Sequence, residues 1–331
     1  MKILVVGTGS IGTRHIDNLH RLGHEVYAMD FNQKNLDKVQ PLALGCFSSL
    51  EQALKLKPEV VFICTFSNAH IQIALQCAQA GCHLFIEKPL STNLKGVKEL
   101  LKTVRYKKLV SMVGCNMRFH PGIAYLHDLL EKKSEFKKII SAQLEFGYYL
   151  PFAKKDYARS YMANKKLGGN IIFDCIHELD YAVWFFGKPE KVFCSAGKVS
   201  KLKMDTHDLA EMLIEFESGS VVLIHLDYLQ HGYSRSCKII SQEASAKWDF
   251  SQGKVGVISR KNKEWQWIDK RTELYYNQMY IDEIKYFMKK VKDHQRTFNS
   301  IEDAIPVLKL AIAANRSAIT GKWEIIKGGF C

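Results

Sequence analysis

The apolar run Ile3-Leu4-Val5-Val6 passes directly into Gly7-Thr8-Gly9-Ser10-Ile11-Gly12, a G-x-G-x-x-G pattern that opens a helical stretch. Few folds accept a strand that ends this way. A continuous apolar strand is buried on both faces, as in a parallel sheet. Gly7 permits the tight turn, Gly9 lets the backbone approach a pyrophosphate, and Gly12 lets the helix pack close to the sheet. The helix N-terminus then presents free N–H groups and the positive end of its dipole to phosphates. A glycine-rich turn without a ligand is the plainer alternative, and the strand–turn–helix context argues against it.

The pattern continues as alternating strands and helices. Glu25–Asp30, Glu59–Thr65, His83–Glu87 and Val110–Cys115 read as further strands. Between them, helices are expected after Gly9, from Ser48 as an N-cap, over Ala69–Ala80 and over Leu94–Arg105. This is the signature of a doubly wound parallel sheet. The character changes near His120-Pro121. Longer strand-like segments follow at Lys138–Tyr148, Leu209–Phe216, Val221–Tyr228 and Ser236–Ser241, with Glu217-Ser218-Gly219-Ser220 as a hairpin turn. One apolar helix is expected from Gly169 to Phe186. The fold class is therefore α/β followed by α+β. Residues 1–119 form the parallel domain. Residues 120–331 are built on an open, mostly antiparallel sheet with helices on one face. Two C-terminal helices, about Leu274–Lys292 and Ile301–Thr320, are expected to pack back across both.

Composition narrows the partners. The 331 residues carry 47 Lys+Arg against 34 Asp+Glu, a formal charge of +13, which favours anionic partners. No zinc-finger spacing, RNP-like segment or long basic run points to nucleic acid. A phosphorylated or carboxylated small molecule suits the scattered basic residues. No window reaches about 18 uninterrupted apolar residues, so no membrane span is expected. The first apolar run is too short for a signal peptide. The nine cysteines include no C-x-x-C pair and lie mostly in apolar runs. They read as reduced thiols in a cytoplasmic protein.

Three further sites carry chemistry. Asp30 ends the second strand eighteen residues after Gly12. A carboxylate there accepts hydrogen bonds from ribose hydroxyls and repels a 2′-phosphate, and Phe31-Asn32-Gln33 supplies no arginine. NAD is thus favoured over NADP. Lys88, in Glu87-Lys88-Pro89, closes the strand His83–Glu87 and is expected in the cofactor cleft. Near a cationic nicotinamide its charged form is disfavoured, which suits proton exchange near neutral pH. Alone, such a lysine is most often a solvated surface residue. In a helix, Asp174, His177 and Asp180 share one face at three-residue spacing. That offers a general base flanked by carboxylates. Metal binding is a weaker reading for want of a further ligand, so no metal is assigned. A histidine satisfied by its helix neighbours is the plain one.

Taken together these pieces resemble the Gfo/Idh/MocA oxidoreductases. The matching segments are Gly7–Gly12, Thr65-Phe66-Ser67-Asn68-Ala69-His70, Glu87-Lys88-Pro89, Asn116-Met117-Arg118-Phe119-His120-Pro121 and Gly168 to Asp180. They occur in family order over most of the chain. The resemblance implies an NAD(P)-binding Rossmann domain and an α/β domain whose open sheet forms a homodimer or homotetramer interface. It implies hydride transfer at a sugar, polyol or nucleotide-sugar carbon. It places the catalytic lysine at Lys88, the active-site histidine at His177 and the preceding aspartate at Asp174. Cofactor contacts map to Gly7, Gly9, Ser10, Ile11, Gly12, Asp30, Thr65, Asn68, His70, Glu87, Lys88 and Asn116.

Two departures stand out. Asp174 precedes His177 by three residues where the family commonly has four, and Asn170 stands where a third glycine is usual. The shorter spacing resembles a branch associated with surface-sugar and sialic-acid-like pathways. Arg118 is a candidate for an anionic substrate group. Lys154, Lys155, Arg159, Lys165 and Lys166 can extend that site or form a solvated loop. Tyr157 and Tyr161 can stack on or hydrogen-bond a sugar. Two alternatives remain: a reductase of non-sugar substrates, similar to dihydrodiol dehydrogenase or biliverdin reductase, and a non-catalytic NAD-responsive regulator. The second has no use for Lys88 and His177 together.

Overall fold

The computed structural model describes residues 1–270 and 276–326. The chain begins β1 (Lys2–Val6), α1 (Ser10–Arg21), β2 (Glu25–Met29), α2 (Gln33–Val39), β3 (Gly45–Phe47), α3 (Leu50–Leu54) and β4 (Val60–Ile63). It continues α4 (His70–Gln79), β5 (His83–Glu87), α5 (Val97–Tyr106) and β6 (Ser111–Gly114). A 3₁₀ turn at Asn116–Phe119 leads to α6 (Pro121–Lys132) and β7 (Ile139–Gly147). Next come α7 (Leu150–Ala153), three 3₁₀ turns between Tyr157 and Leu167, α8 (Ile171–Asp174) and α9 (Ile176–Phe186). Seven strands follow in sequence: β8 (Pro189–Gly197), β9 (Leu209–Phe216), β10 (Val221–Asp227), β11 (Ser234–Ser241), β12 (Ala244–Asp249), β13 (Lys254–Ser259) and β14 (Gln266–Asp269). The last elements are α10 (Gln278–Lys292), α11 (Ile301–Thr320) and β15 (Glu324–Ile325).

The chain divides into two compact units. The first comprises Met1–Asn116 with Asn277–Ile305. Its six-stranded sheet has the order β3-β2-β1-β4-β5-β6, every pair parallel. Ile3, Leu4 and Val5 in β1, Val60–Ile63 in β4 and Leu84–Ile86 in β5 have no exposed surface. Each such side chain contributes about 1.5–3 kcal/mol of burial. The order reverses direction at β1, so the loops after β1 and β4 diverge and leave a crevice at the carboxyl ends of the strands. The outer edge at β6 is closed by the segment before α11. Val113 N–H donates to the Asn299 carbonyl at 2.8 Å, and Thr297 Oγ1 to that of Ser111 at 2.7 Å.

The second unit runs from Met117 to Tyr276 and from Pro306 on. Its nine-stranded sheet has the order β14-β13-β12-β11-β7-β10-β9-β8-β15 and is antiparallel except for β7 and β10. Alternation along β9 buries Ala210, Met212, Ile214 and Phe216 beneath α8 and α9. The opposite face stays open and carries Leu213, Leu223 and a charged row. There His225 Nδ1 lies 2.6 Å from Glu211 Oε1, and Nε2 lies 2.8 Å from Asp227 Oδ2.

The hairpin at 217–220 forms as expected, with Gly219 at φ +83 and its N–H donating to the Phe216 carbonyl. Other expectations change. The single helix from Gly169 to Phe186 is two helices, broken at Cys175 (φ −90, ψ 35). The first starts at Ile171, after Asn170 accepts the Ile172 N–H with its side chain. Asp174, His177 and Asp180 therefore do not share one continuous helix face. Ser49, not Ser48, occupies the N-cap position of α3, and its side chain makes no capping hydrogen bond. Strands β3, β8 and β12–β15 are additional to those the sequence predicts. Leu274, the expected start of α10, lies outside the described residues.

Candidate functional site

In the first unit the carboxyl ends of β1, β2, β4 and β5 meet around the glycine loop. Gly7 has φ +89, which L side chains rarely adopt, and its N–H donates to the Met29 carbonyl at 2.8 Å. A Cβ at Gly12 would lie 1.9 Å from the Gly7 carbonyl oxygen, so only glycine lets α1 approach this closely. At Gly9 a Cβ would meet nothing within 4 Å. The backbone there borders open space, with Ser10 exposed and Ile11 half-buried in the first turn of α1. This is the cradle that a pyrophosphate needs.

Asp30 is tied to that loop. Its Oδ2 accepts from the Thr8 N–H at 2.7 Å, the Thr8 hydroxyl at 3.1 Å and the Asn35 amide at 3.2 Å. Its Oδ1 accepts one bond, from the Asn32 N–H at 2.8 Å. A carboxylate oxygen has two lone pairs, so Oδ1 keeps capacity for a hydroxyl donor. Thr65, just past β4, has a buried hydroxyl with no hydrogen-bond partner among the described residues. A buried orphan hydroxyl is costly, and a bound polar ligand removes the cost. These features fit a dinucleotide. Asn68 is exposed in the turn that follows, and Asn116 is buried just after β6.

Lys88 is fixed by its backbone neighbours. Its N–H donates to Glu87 Oε2 at 3.1 Å, and a cis peptide joins it to Pro89. Oε1 of Glu87 lies 2.6 Å from His15 Nε2. The buried His70 ring lies between two carbonyls, with Nδ1 2.9 Å from Pro89 O and Nε2 3.1 Å from Thr65 O. Burial lowers the His70 pKa, and the two carbonyls oppose that shift. His70 thus links the end of β4 to the segment after Lys88.

In the second unit Asp174 ends α8 and His177 stands half-buried in the first turn of α9. The Tyr161 hydroxyl donates to Asp174 Oδ1, and the Tyr228 hydroxyl donates to Oδ2 at 2.8 Å. Burial first, and then the Asp174 charge, push both phenols well above their usual range. Both therefore stay protonated and donate. Tyr228 was not singled out from the sequence. Its hydroxyl needs a partner because Tyr228 is fully buried at a strand end, which the sequence does not report.

Arg118 departs from expectation. It is 4% exposed, and its fork is bidentate on Asp180, with Nε 2.8 Å from Oδ2 and Nη2 2.8 Å from Oδ1. A guanidinium held this way organises the protein interior rather than a substrate anion. Arg159 and the lysines around it are exposed. Among the described residues no group of three or more His, Cys, Asp or Glu is arranged to hold a metal ion.

Comparison with known proteins agrees with this geometry. The model of the oxidoreductase family with an NAD-binding Rossmann fold matches residues 1–115, and the GFO/IDH/MocA C-terminal domain matches residues 126–247. The chain is 25% identical over 335 residues to myo-inositol 2-dehydrogenase of Thermotoga maritima, covering 96% of each. It is 24% identical over 262 residues to UDP-N-acetylglucosamine 3-dehydrogenase of Acidithiobacillus ferrooxidans, covering 78% and 77%. Levoglucosan dehydrogenase in complex with NADH superposes with a TM-score of 0.89 at 18% identity, covering 99% of this chain and 100% of that one. The glycine cradle, the two-unit architecture and both family models lead to one conclusion: this chain belongs to the Gfo/Idh/MocA family of NAD-binding oxidoreductases.

Proposed function

We propose that this chain is an NAD-dependent dehydrogenase or reductase acting at a hydroxyl or keto carbon of a sugar, polyol or nucleotide sugar. One observation carries the reading most directly. The glycine cradle, Asp30, the orphan Thr65 hydroxyl and Lys88 all lie at the carboxyl ends of neighbouring strands in one sheet. The names of the relatives support the substrate class, since they are inositol and UDP-sugar dehydrogenases.

The nicotinamide, when bound, carries the hydride. The N–H groups at the start of α1 hold the pyrophosphate, and Asp30 accepts a ribose hydroxyl. Lys88 donates to the reacting oxygen and stabilises the charge that develops there. His177 takes the hydroxyl proton in the oxidising direction and returns it in the reducing one. Asp174 accepts both phenols, so its part is to fix Tyr161 and Tyr228 rather than to pass a proton on. Self-association through the open face of the second sheet fits its exposed apolar residues, Leu223 at 45% and Val221 at 36%. A cytoplasmic setting accords with Cys46, Cys64, Cys77, Cys82, Cys194 and Cys237, which stand as free thiols.

The test is NADH formation across a panel of inositols, free sugars, UDP-sugars and aromatic diols. Turnover confined to the diols would replace the sugar reading. NADH binding without turnover on any substrate would favour a regulator.

A further inference from the structure

Two basic loops of the second unit are tied together. The first, residues 154–166, contains Lys154, Lys155, Arg159, Lys165 and Lys166; the second, residues 198–208, contains Lys198, Lys201 and Lys203. Lys165 N–H donates to Asp205 Oδ1 at 2.7 Å, and Asp205 N–H to the Ala163 carbonyl at 3.1 Å. Thr206 Oγ1 donates to the Met162 carbonyl at 2.7 Å, and Lys203 N–H to the Tyr157 hydroxyl at 3.0 Å. All eight basic side chains are exposed, and none forms an ion pair among the described residues. The three acidic residues of the two loops offset only part of this charge. Asp208 is fully buried and accepts from Val199 N–H, Ser200 N–H and the Ser200 hydroxyl. Asp205 is engaged by Lys165's backbone, and Asp156 stands alone against the cluster.

Holding so many like charges together costs energy, and the hydrogen bonds between the loops sustain that cost in the free protein. The field is felt nearby. His207, with a buried Nδ1 that has no partner among the described residues, has its pKa lowered by burial and then by the Lys165 charge, with the Asp208 charge opposing. The patch is continuous with the site already described, because Tyr161 lies between Arg159 and Lys165 and donates to Asp174.

We propose that these two loops bind the phosphates of the substrate, which is therefore a nucleoside-diphosphate sugar. The inference rests on the sugar dehydrogenase reading above. A single exposed cation attracts an anion weakly in water, so two hydrogen-bonded loops that carry eight basic residues suit a ligand with several charges rather than one carboxylate. A neutral polyol has no use for it.

The test uses the full chain, with inorganic pyrophosphate and UDP as probes in calorimetric titrations at low and moderate salt. The site variant is Lys165→Gln with Lys203→Gln. The control, Lys102→Gln with Lys263→Gln, changes the net charge equally at exposed positions elsewhere. Wild type and control should bind both probes, more weakly as salt rises. The site variant should lose about tenfold or more in affinity. With UDP-N-acetylglucosamine as a trial substrate, the site variant should raise KM by about tenfold and leave kcat within about twofold. Its turnover of myo-inositol should not change. Absent binding of either probe, or equal losses in site and control variants, overturns the proposal. If wild type oxidises myo-inositol but binds neither probe, the dehydrogenase reading stands and this inference falls. If the probes bind as expected but no sugar of any kind is turned over, the phosphate site stands and the dehydrogenase reading falls.

Discussion

His15 Nε2 lies 2.6 Å from Glu87 Oε1, and the other oxygen of Glu87 accepts the Lys88 backbone N–H at 3.1 Å. The glycine-loop helix thus holds the carboxylate that fixes the proposed catalytic lysine's backbone. His15 has no exposed surface and packs against the rings of Phe62, Phe85 and Tyr280. His15→Leu preserves bulk and removes the bond. A hydrogen bond to a charged group is worth about 1.5–3 kcal/mol, and its loss here strands a buried carboxylate. The expected destabilisation is therefore about 2–3 kcal/mol in urea unfolding. His15→Gln, which keeps an N–H donor, should recover part of it.

The role proposed for Asp30 is to set the cofactor preference. Asp30→Ala removes both the ribose acceptor and the repulsion of a 2′-phosphate. NADH affinity should fall by about tenfold, roughly 1.4 kcal/mol, while NADPH affinity falls less or rises. Fluorescence titration of both cofactors reads the narrowing. Tighter NADPH than NADH binding by wild type would contradict the role of Asp30.

The Glu211–His225–Asp227 row makes stability depend on pH in a stated direction. The hydrogen bond with Asp227 leads the causes that raise the His225 pKa to about 9, against burial. The folded protein therefore holds this proton more tightly than the unfolded chain. The stabilisation is complete below the unfolded value of about 6.5 and is lost as pH rises through about 9. Melting temperatures of wild type and His225→Gln should differ most at pH 6 and converge by pH 10. A constant gap across that range would contradict the assignment.

Asp174 and Tyr228 should behave as one unit. Asp174→Asn offers one acceptor oxygen where two phenols donate, so one buried hydroxyl loses its partner. If Asp174 only positions, Asp174→Asn and Tyr228→Phe should each lower kcat by about tenfold, and the double variant should do little worse than either. A much larger loss for Asp174→Asn alone would reinstate a proton relay.

Features set by a few adjacent residues were legible in the sequence. The glycine loop depends on local backbone conformation, and strands such as Val60–Ile63 announce themselves as apolar runs. Even the hairpin at Gly219 needed only a residue that accepts positive φ. The pairings across the second unit were not legible. Arg118 and Asp180 stand 62 positions apart, Glu178 and Arg235 57 apart, and Asp174 and Tyr228 54 apart. No periodicity reports which buried charge or hydroxyl meets which. The break at Cys175 escaped for a related reason. Apolar residues continue on both sides of it, so the 3.6-residue pattern runs through unchanged. Strands β12–β14 carry alternating polar residues that resemble loop composition, and their register comes from neighbouring strands.

The most direct test of the catalytic assignment is single-turnover hydride transfer in Lys88→Met and His177→Asn, once a substrate has been found in the panel. Lys88→Met keeps the length of the stem and deletes the ammonium, while His177→Asn keeps a polar group and deletes the titrating one. Removing a positioned acid–base group typically costs about 10²–10⁴-fold in rate. Each variant should therefore bind NADH within about tenfold of wild type and transfer hydride at least about 10²-fold more slowly. If both transfer hydride at close to the wild-type rate, Lys88 and His177 are not the catalytic pair.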